Sequence, residues 1–357
     1  MIAGGTRLAV QLLRRAGRNR TVHGAFFLIV LGGFLFAFLQ QDGIIHYLMS
    51  PKSGRVYRQS TEAVWNVMKS LPRPKPVYPL IDLDFYMPSQ KMLFNRTRIV
   101  TAVSSNHYPE MKKMVATVQM HMPSTKIVVY NLGLTKTELH TISRMCNVEE
   151  VRFFNFAQYP RHVRNKLNYA WKPLIIREAL YEFGAIFWAD SSIRFKKSIL
   201  PLYRYLKDFH GFVPMVLTYE PNRFSNYNKT HPDMYRYLGV DLDNEYKNLR
   251  STPTVQASRI FFVNSSYITE KLIQPWVACA LALDCIAPKG SQNPHRRPVA
   301  GFHEHRYDQS ALGILIYKNL RGLFKKGNGA QKAYISVSAF RNNNRYFGDV
   351  QNVTFCD

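Results

Sequence analysis

The chain has 357 residues, 48 Lys and Arg against 23 Asp and Glu, and a formal net charge of +25. Its hydrophobic fraction of 46% excludes an intrinsically disordered polymer, which lacks the apolar surface to offset chain entropy. With only 19 Gly and 19 Pro and no short period, it is not a collagen-like or heptad-repeat fibre either. The basic residues are scattered from Arg7 to Arg345 with no zinc-finger spacing, no RNA-binding aromatic motif and no basic block before heptads. No nucleic-acid partner is therefore expected, and the charge reads as a basic surface or as a groove for a nucleotide diphosphate or an acidic glycan.

Residues 1–21 read as a basic tail: Arg7, Arg14, Arg15, Arg18 and Arg20 occur before any acidic residue. The segment 22–42 contains Gly24 to Leu39, GAFFLIVLGGFLFAFL, without charge or proline. At ~1.5 Å per residue that run reaches about 24 Å, short of a ~30 Å hydrocarbon core but extendable at both ends. Apolar residues cover every face, and Ala37-Phe38-Leu39 offers no small-x-small cleavage site. The reading is an uncleaved transmembrane signal anchor, with the basic tail in the cytosol and the rest of the chain in the lumen.

Residues 43–95 read as a stem, made semi-rigid by Pro72, Pro74, Pro76 and Pro79. The luminal part, with its body from 96 to 357, would expose four N-glycosylation triplets, at Asn95, at the end of the stem, and at Asn228, Asn264 and Asn352. All four cysteines (Cys146, Cys279, Cys285, Cys356) lie beyond the anchor, where disulfides are permitted, and three pairings are open.

From Arg98 the pattern alternates strand and helix. Strands are expected at Arg98–Val103, Lys126–Asn131, Glu150–Phe154, Ala185–Ala189 and Val255–Val263. Helices are expected at about 109–122, from a Thr135 N-cap with Glu138 at the third position to about 145, at 170–183 with Gly184 as C-cap, and at 269–282. Near-continuous apolar strands between helices predict an α/β fold with a mainly parallel sheet covered on both faces, which binds ligands beyond the carboxyl ends of its strands. One such end carries Asp190, delivered by a wholly apolar strand; a buried carboxylate there needs a cation, a metal or donors.

Tyr169-Ala170-Trp171-Lys172-Pro173-Leu174, followed by Gly184-Ala185-Ile186-Phe187-Trp188-Ala189-Asp190-Ser191-Ser192 and later by Tyr307-Asp308-Gln309-Ser310-Ala311-Leu312, resembles the core of a GT-A (Rossmann-like) glycosyltransferase. More narrowly, the luminal part resembles an uncharacterised animal family of predicted type II nucleotide-sugar transferases. The resemblance covers about residues 97–320. It implies a single-pass type II protein of the Golgi or ER membrane that moves a sugar from a nucleotide-diphosphate donor to a glycan, glycoprotein or glycolipid acceptor. It further implies that Ala102, Val103, Ser104, Asn106 and Tyr108 line the nucleoside pocket, that Lys172 approaches the donor, and that Asp190 faces the diphosphate directly or through Mn²⁺ or Mg²⁺. Asp308, beside Gln309, would contact the sugar or act as base, and His303 and His305 would be further metal ligands. The pattern departs at Ser192, where the family carries the second Asp of an Asp-x-Asp motif. That departure leaves open a catalytically inactive luminal binding or scaffolding protein of the same fold. Asp82-x-Asp84 and Asp241-x-Asp243 match the triplet but follow no buried strand. Tyr219, Tyr227 and Trp276 are candidates for stacking on sugar faces. A methyltransferase lacks its Gly-rich loop after Val103, and no Gly-x-Ser-x-Gly marks a hydrolase.

Overall fold

The structure, a computed structural model, describes residues 67–68, 71, 80, 89–217, 225–291, 304–340 and 352–356. The chain divides into two units, 1–61 and 62–357, and every described residue lies in the second. The expected anchor at 22–42 and most of the expected stem lie outside the described residues. Among those described, no helix is long and apolar enough to cross a membrane.

The expected stem ends differently. Residues 90–96 form helix α1 (Gln90–Arg96), capped by Ser89, whose hydroxyl accepts from Met92 N. Leu93 is fully buried, and the Thr97 hydroxyl donates to Leu93 O and pairs with Tyr203 Oη at 2.7 Å. This stretch belongs to the body, because an apolar residue in its middle finds a core to bury against.

Strand β1 (Arg98–Val103) leads through α2 (Tyr108–His121) to β2 (Lys126–Asn131), and α3 (Lys136–Ser143) leads to β3 (Val148–Phe153). The capping box read at Thr135 and Glu138 is formed on α3, satisfying donors that the first helical turn otherwise leaves orphaned. Helix α4 (Trp171–Phe183) ends at Gly184, whose φ of 72° gives the left-handed turn that feeds β4 (Ala185–Ala189). Short β5 (Ile193–Phe195), β6 (Phe212–Val216), helices α5 (Pro232–Tyr237) and α6 (Leu242–Ser251), and β7 (Val255–Val263) follow. A π turn at Thr269–Ile273 then enters α7 (Gln274–Leu281), and the described body continues with α8 (Asp308–Asn319), α9 (Gly322–Val337) and β8 (Ser338–Phe340).

The main sheet has the order β3-β2-β1-β4-β7-β6. Strands β3, β2, β1 and β4 are parallel, while β7 runs antiparallel to both β4 and β6. The sheet is thus mainly parallel, as expected, with one reversed strand beside β4. The carboxyl ends of β1 to β4 (Val103, Asn131, Phe153, Ala189) share one edge, and the start of β7 reaches that same edge. Helix α4 packs on β1 and β4, α8 on β7, and α9 on β6. The sheet's centre is dry: every residue of β4 is buried. All four cysteines are paired, Cys146 with Cys356 and Cys279 with Cys285. The first bond closes a separation of 210 residues and anchors the tail segment 352–356 beside α3.

Candidate functional site

The apolar run of β4 ends at Asp190, whose backbone N–H is held by Ser258 O of β7 at 2.8 Å. Successive strand side chains alternate, so Trp188 points to the same side as Asp190. Its indole Nε1 donates to Asp190 Oδ1 at 2.8 Å. Opposite lies the first turn of α4. Tyr169, in the left-handed region at φ 52°, turns the chain into the helix and aims Lys172 back across the strand end.

Lys172 is the centre of the arrangement. Its Nζ lies 3.1 Å from Asp190 Oδ1 and 3.2 Å from Asp308 Oδ2, and it donates to Ala257 O at 3.3 Å. The rings of Tyr169, Trp188 and Trp171 surround the ammonium at 5.5, 5.6 and 5.9 Å. Burial disfavours the charge, but the two carboxylates outweigh it and push the Lys172 pKa above its ordinary value.

Asp308 arrives from far along the chain as the first residue of α8. Tyr307, before it, has a positive φ of 46°, and Trp276 Nε1 holds the Asp308 carbonyl at 2.9 Å. The two carboxylates differ in access. The Asp190 side chain is 30% exposed, whereas that of Asp308 is 5% exposed and that of Lys172 4%. Burial raises the Asp308 pKa to about 6 against the attraction of Lys172, with repulsion from Asp190 adding to the rise. Direct contact with a sugar, expected of Asp308, is not what this packing offers. It partners Lys172, and Asp190 is the carboxylate that reaches solvent.

The β1 end lies on the same edge. Parallel pairing sets Val100 opposite Trp188 and so brings the ends of β1 and β4 to a common level. Ala102, Val103 and Ser104 are buried, and the Ser104 hydroxyl donates to Asn106 Oδ1 at 2.6 Å. Asn106 is exposed and Tyr108 half-buried. Of these expected pocket residues, then, Asn106 and Tyr108 offer surface at the edge, and Ala102 and Val103 are core. Ser192 and Gln309 are half-buried.

Sequence reading missed Lys166. Exposed, it reaches the end of β2, where Nζ donates to Leu132 O at 3.2 Å beside Gly133, a residue at φ 122°. Trp188 was also missed as a partner of Asp190, although spacing by two along a strand signals a shared face. No local signal marks Tyr307, whose role depends on where α8 docks.

Other expectations are corrected. His305 is no metal ligand: its Nδ1 accepts from His231 N at 3.1 Å and its Nε2 bonds Ile286 O at 3.0 Å. Burial lowers its pKa to about 3 and keeps the ring neutral inside the fold. His303 lies outside the described residues, as does Tyr219. Trp276 is fully buried and serves α8 rather than a sugar, while Tyr227 packs edge-on against Tyr246. Asp241 caps α6 by accepting from Asp243 N and Asn244 N. Asn264 is 1% exposed and bonded by the Thr269 hydroxyl, and Asn228 is 8% exposed, so a glycan on either is incompatible with this packing. Asn95 and Asn352 are exposed.

A family model described as a protein of unknown function (DUF1647) matches residues 79–177, which includes β1 to β3 and the first half of α4. No curated protein matches the chain. Solved structures similar to it include the galactosyltransferase LgtC in complex with donor and acceptor sugar analogs, at 12% identity and a TM-score of 0.33 over 50% of this chain and 62% of that one. The chain therefore matches less than two thirds of LgtC. Mouse xyloside xylosyltransferase 1 is similar at 9% identity and a TM-score of 0.36, over 62% of this chain and 82% of that one. The mannosyltransferase Ktr4p from S. cerevisiae in complex with GDP is similar at 12% identity and a TM-score of 0.36, over 78% and 80%.

Proposed function

We propose that the chain is a glycosyltransferase that moves a sugar from a nucleotide-diphosphate donor to a glycan-type acceptor at the carboxyl edge of its sheet. One observation carries this reading. Lys172, Asp190 and Asp308, the three residues that the GT-A resemblance singles out from separate stretches of sequence, meet within 3.2 Å where such sheets bind ligands. In that reading Asp190 is an acceptor-only group open to the ligand. It takes hydrogen bonds from sugar hydroxyls or the proton of the incoming acceptor hydroxyl. Lys172 holds it in place, and Asp308 holds Lys172. Lys166 offers the diphosphate an exposed positive charge on the same edge, where Asn106 and Tyr108 present surface for the nucleoside. Residues 22–42 would tether this head to the Golgi or ER membrane as a type II protein, with 43 to about 89 as stem. The paired cysteines suit an oxidising lumen.

A panel of nucleotide sugars, assayed for release of the nucleoside diphosphate, tests the proposal. Turnover by the wild-type chain that Asp190→Asn abolishes is the expected result. Nucleotide binding without turnover across the panel would instead favour the inactive, scaffolding form that Ser192 suggests.

A further inference from the structure

The resemblance brings with it a divalent cation, and the described residues do not fit one. A hard cation collects several oxygen ligands, at least one of them normally a free carboxylate. The turn after β4 supplies Asp190 and then Ser192 in place of a second acid. Asp190 already has a counter-cation, with Oδ1 on Lys172 Nζ at 3.1 Å and on Trp188 Nε1 at 2.8 Å, and Oδ2 at 3.4 Å from the same Nζ. Asp308 Oδ2 faces that ammonium too, at 3.2 Å. Both nitrogens of His305 are spent on backbone partners. Among the described residues no group of three His, Cys, Asp or Glu side chains could hold a metal ion.

What stands between the two carboxylates is an ammonium held by its surroundings. It is buried, ringed by three aromatic side chains and bonded to Ala257 O. A dication beside it would meet repulsion from the ammonium at short range. We propose that this chain engages its nucleotide diphosphate without a divalent cation, because the Lys172 ammonium fills the place between the carboxylates that a metal would take. The inference rests on the nucleotide-sugar reading and adds to it the chemistry of the bound form. Its corollary is that the carboxylate pair becomes a cation site once the ammonium is removed.

Two measurements test it on the full chain. Calorimetric titration with UDP and with GDP, in EDTA and in Mn²⁺, should give dissociation constants that agree within about twofold; tightening by about tenfold or more in Mn²⁺ overturns the inference. Electron paramagnetic resonance of Mn²⁺ added to the protein alone should show no site on the wild type that depends on Asp190, and one new site on Lys172→Ala that Asp190→Asn removes. Mn²⁺ held by the wild type and released by Asp190→Asn overturns the inference. Should Lys172→Ala fail to fold, the wild-type comparisons still decide. Binding of neither nucleotide, with or without Mn²⁺, overturns the nucleotide reading and this inference together. That outcome is distinct from Mn²⁺-dependent binding, which overturns this inference alone.

Discussion

The two carboxylates that meet Lys172 reach it by opposite routes. Asp190 stands at the tip of a central strand, fixed by its neighbours on β4 and β7, and its side chain is open to solvent. Asp308 begins a helix that docks from more than a hundred residues downstream, and packing seals it in. One lysine thus joins a locally determined group to one placed by the fold. In the proposed reading the difference divides their work: the open carboxylate meets ligand, and the sealed one keeps the ammonium in position.

Removing the shared partner should have the largest effect. Lys172→Met leaves a buried carboxylate uncompensated and is expected to lower stability by about 3–5 kcal/mol in urea unfolding. A loss well under 1 kcal/mol would mean that Asp308 has another counterion. Next come the carboxylates themselves. Asp190→Asn should reduce turnover on the order of a hundredfold or more, and Asp308→Asn should reduce it less, since that residue acts through Lys172. Equal losses would erase the distinction between open and sealed groups.

The sealed group should also announce itself through pH. Its carboxyl titrates at about 6 in the fold, above the ordinary ~3.9 of an unfolded Asp. Between those values the folded state binds the proton more tightly, so Asp308 contributes stability below pH ~4 that is lost as pH rises through about 6. The groups facing it are Lys172 from α4, Asp190 beyond β4 and the Gln309 N–H of its own helix. Unfolding of wild type against Asp308→Asn from pH 4 to 7 should show this downward slope in the wild type alone; parallel curves would refute the raised pKa. The smallest effect belongs to the open group's support. Trp188→Phe deletes the indole donor to Asp190 and part of a fully buried ring, and should cost about 1–3 kcal/mol with only a modest drop in turnover.

Much of the framework was legible because its signals are local. Strands β1, β2, β4 and β7 begin and end where alternating or continuous apolar runs predict, and Gly184 and the Thr135–Glu138 box mark helix boundaries by backbone chemistry that depends on a few adjacent residues. The short antiparallel additions β5, β6 and β8 escaped notice, since a three-residue strand or one with a proline such as Pro214 has too little pattern to stand out. Glycosylation triplets show the same limit: the code at Asn264 is intact in sequence, yet the side chain is buried.

The amino-acid order by itself determined that a hydrophobic strand would carry Asp190 to a sheet edge and that a helix beginning near Lys172 would precede it. Only the tertiary structure decided that Asp308 closes the trio, that His305 is consumed by backbone groups and that an ammonium occupies the space between two acids. Periodicity and capping are properties of neighbours along the chain, whereas burial, charge pairing and access to solvent depend on which distant segments the core brings together.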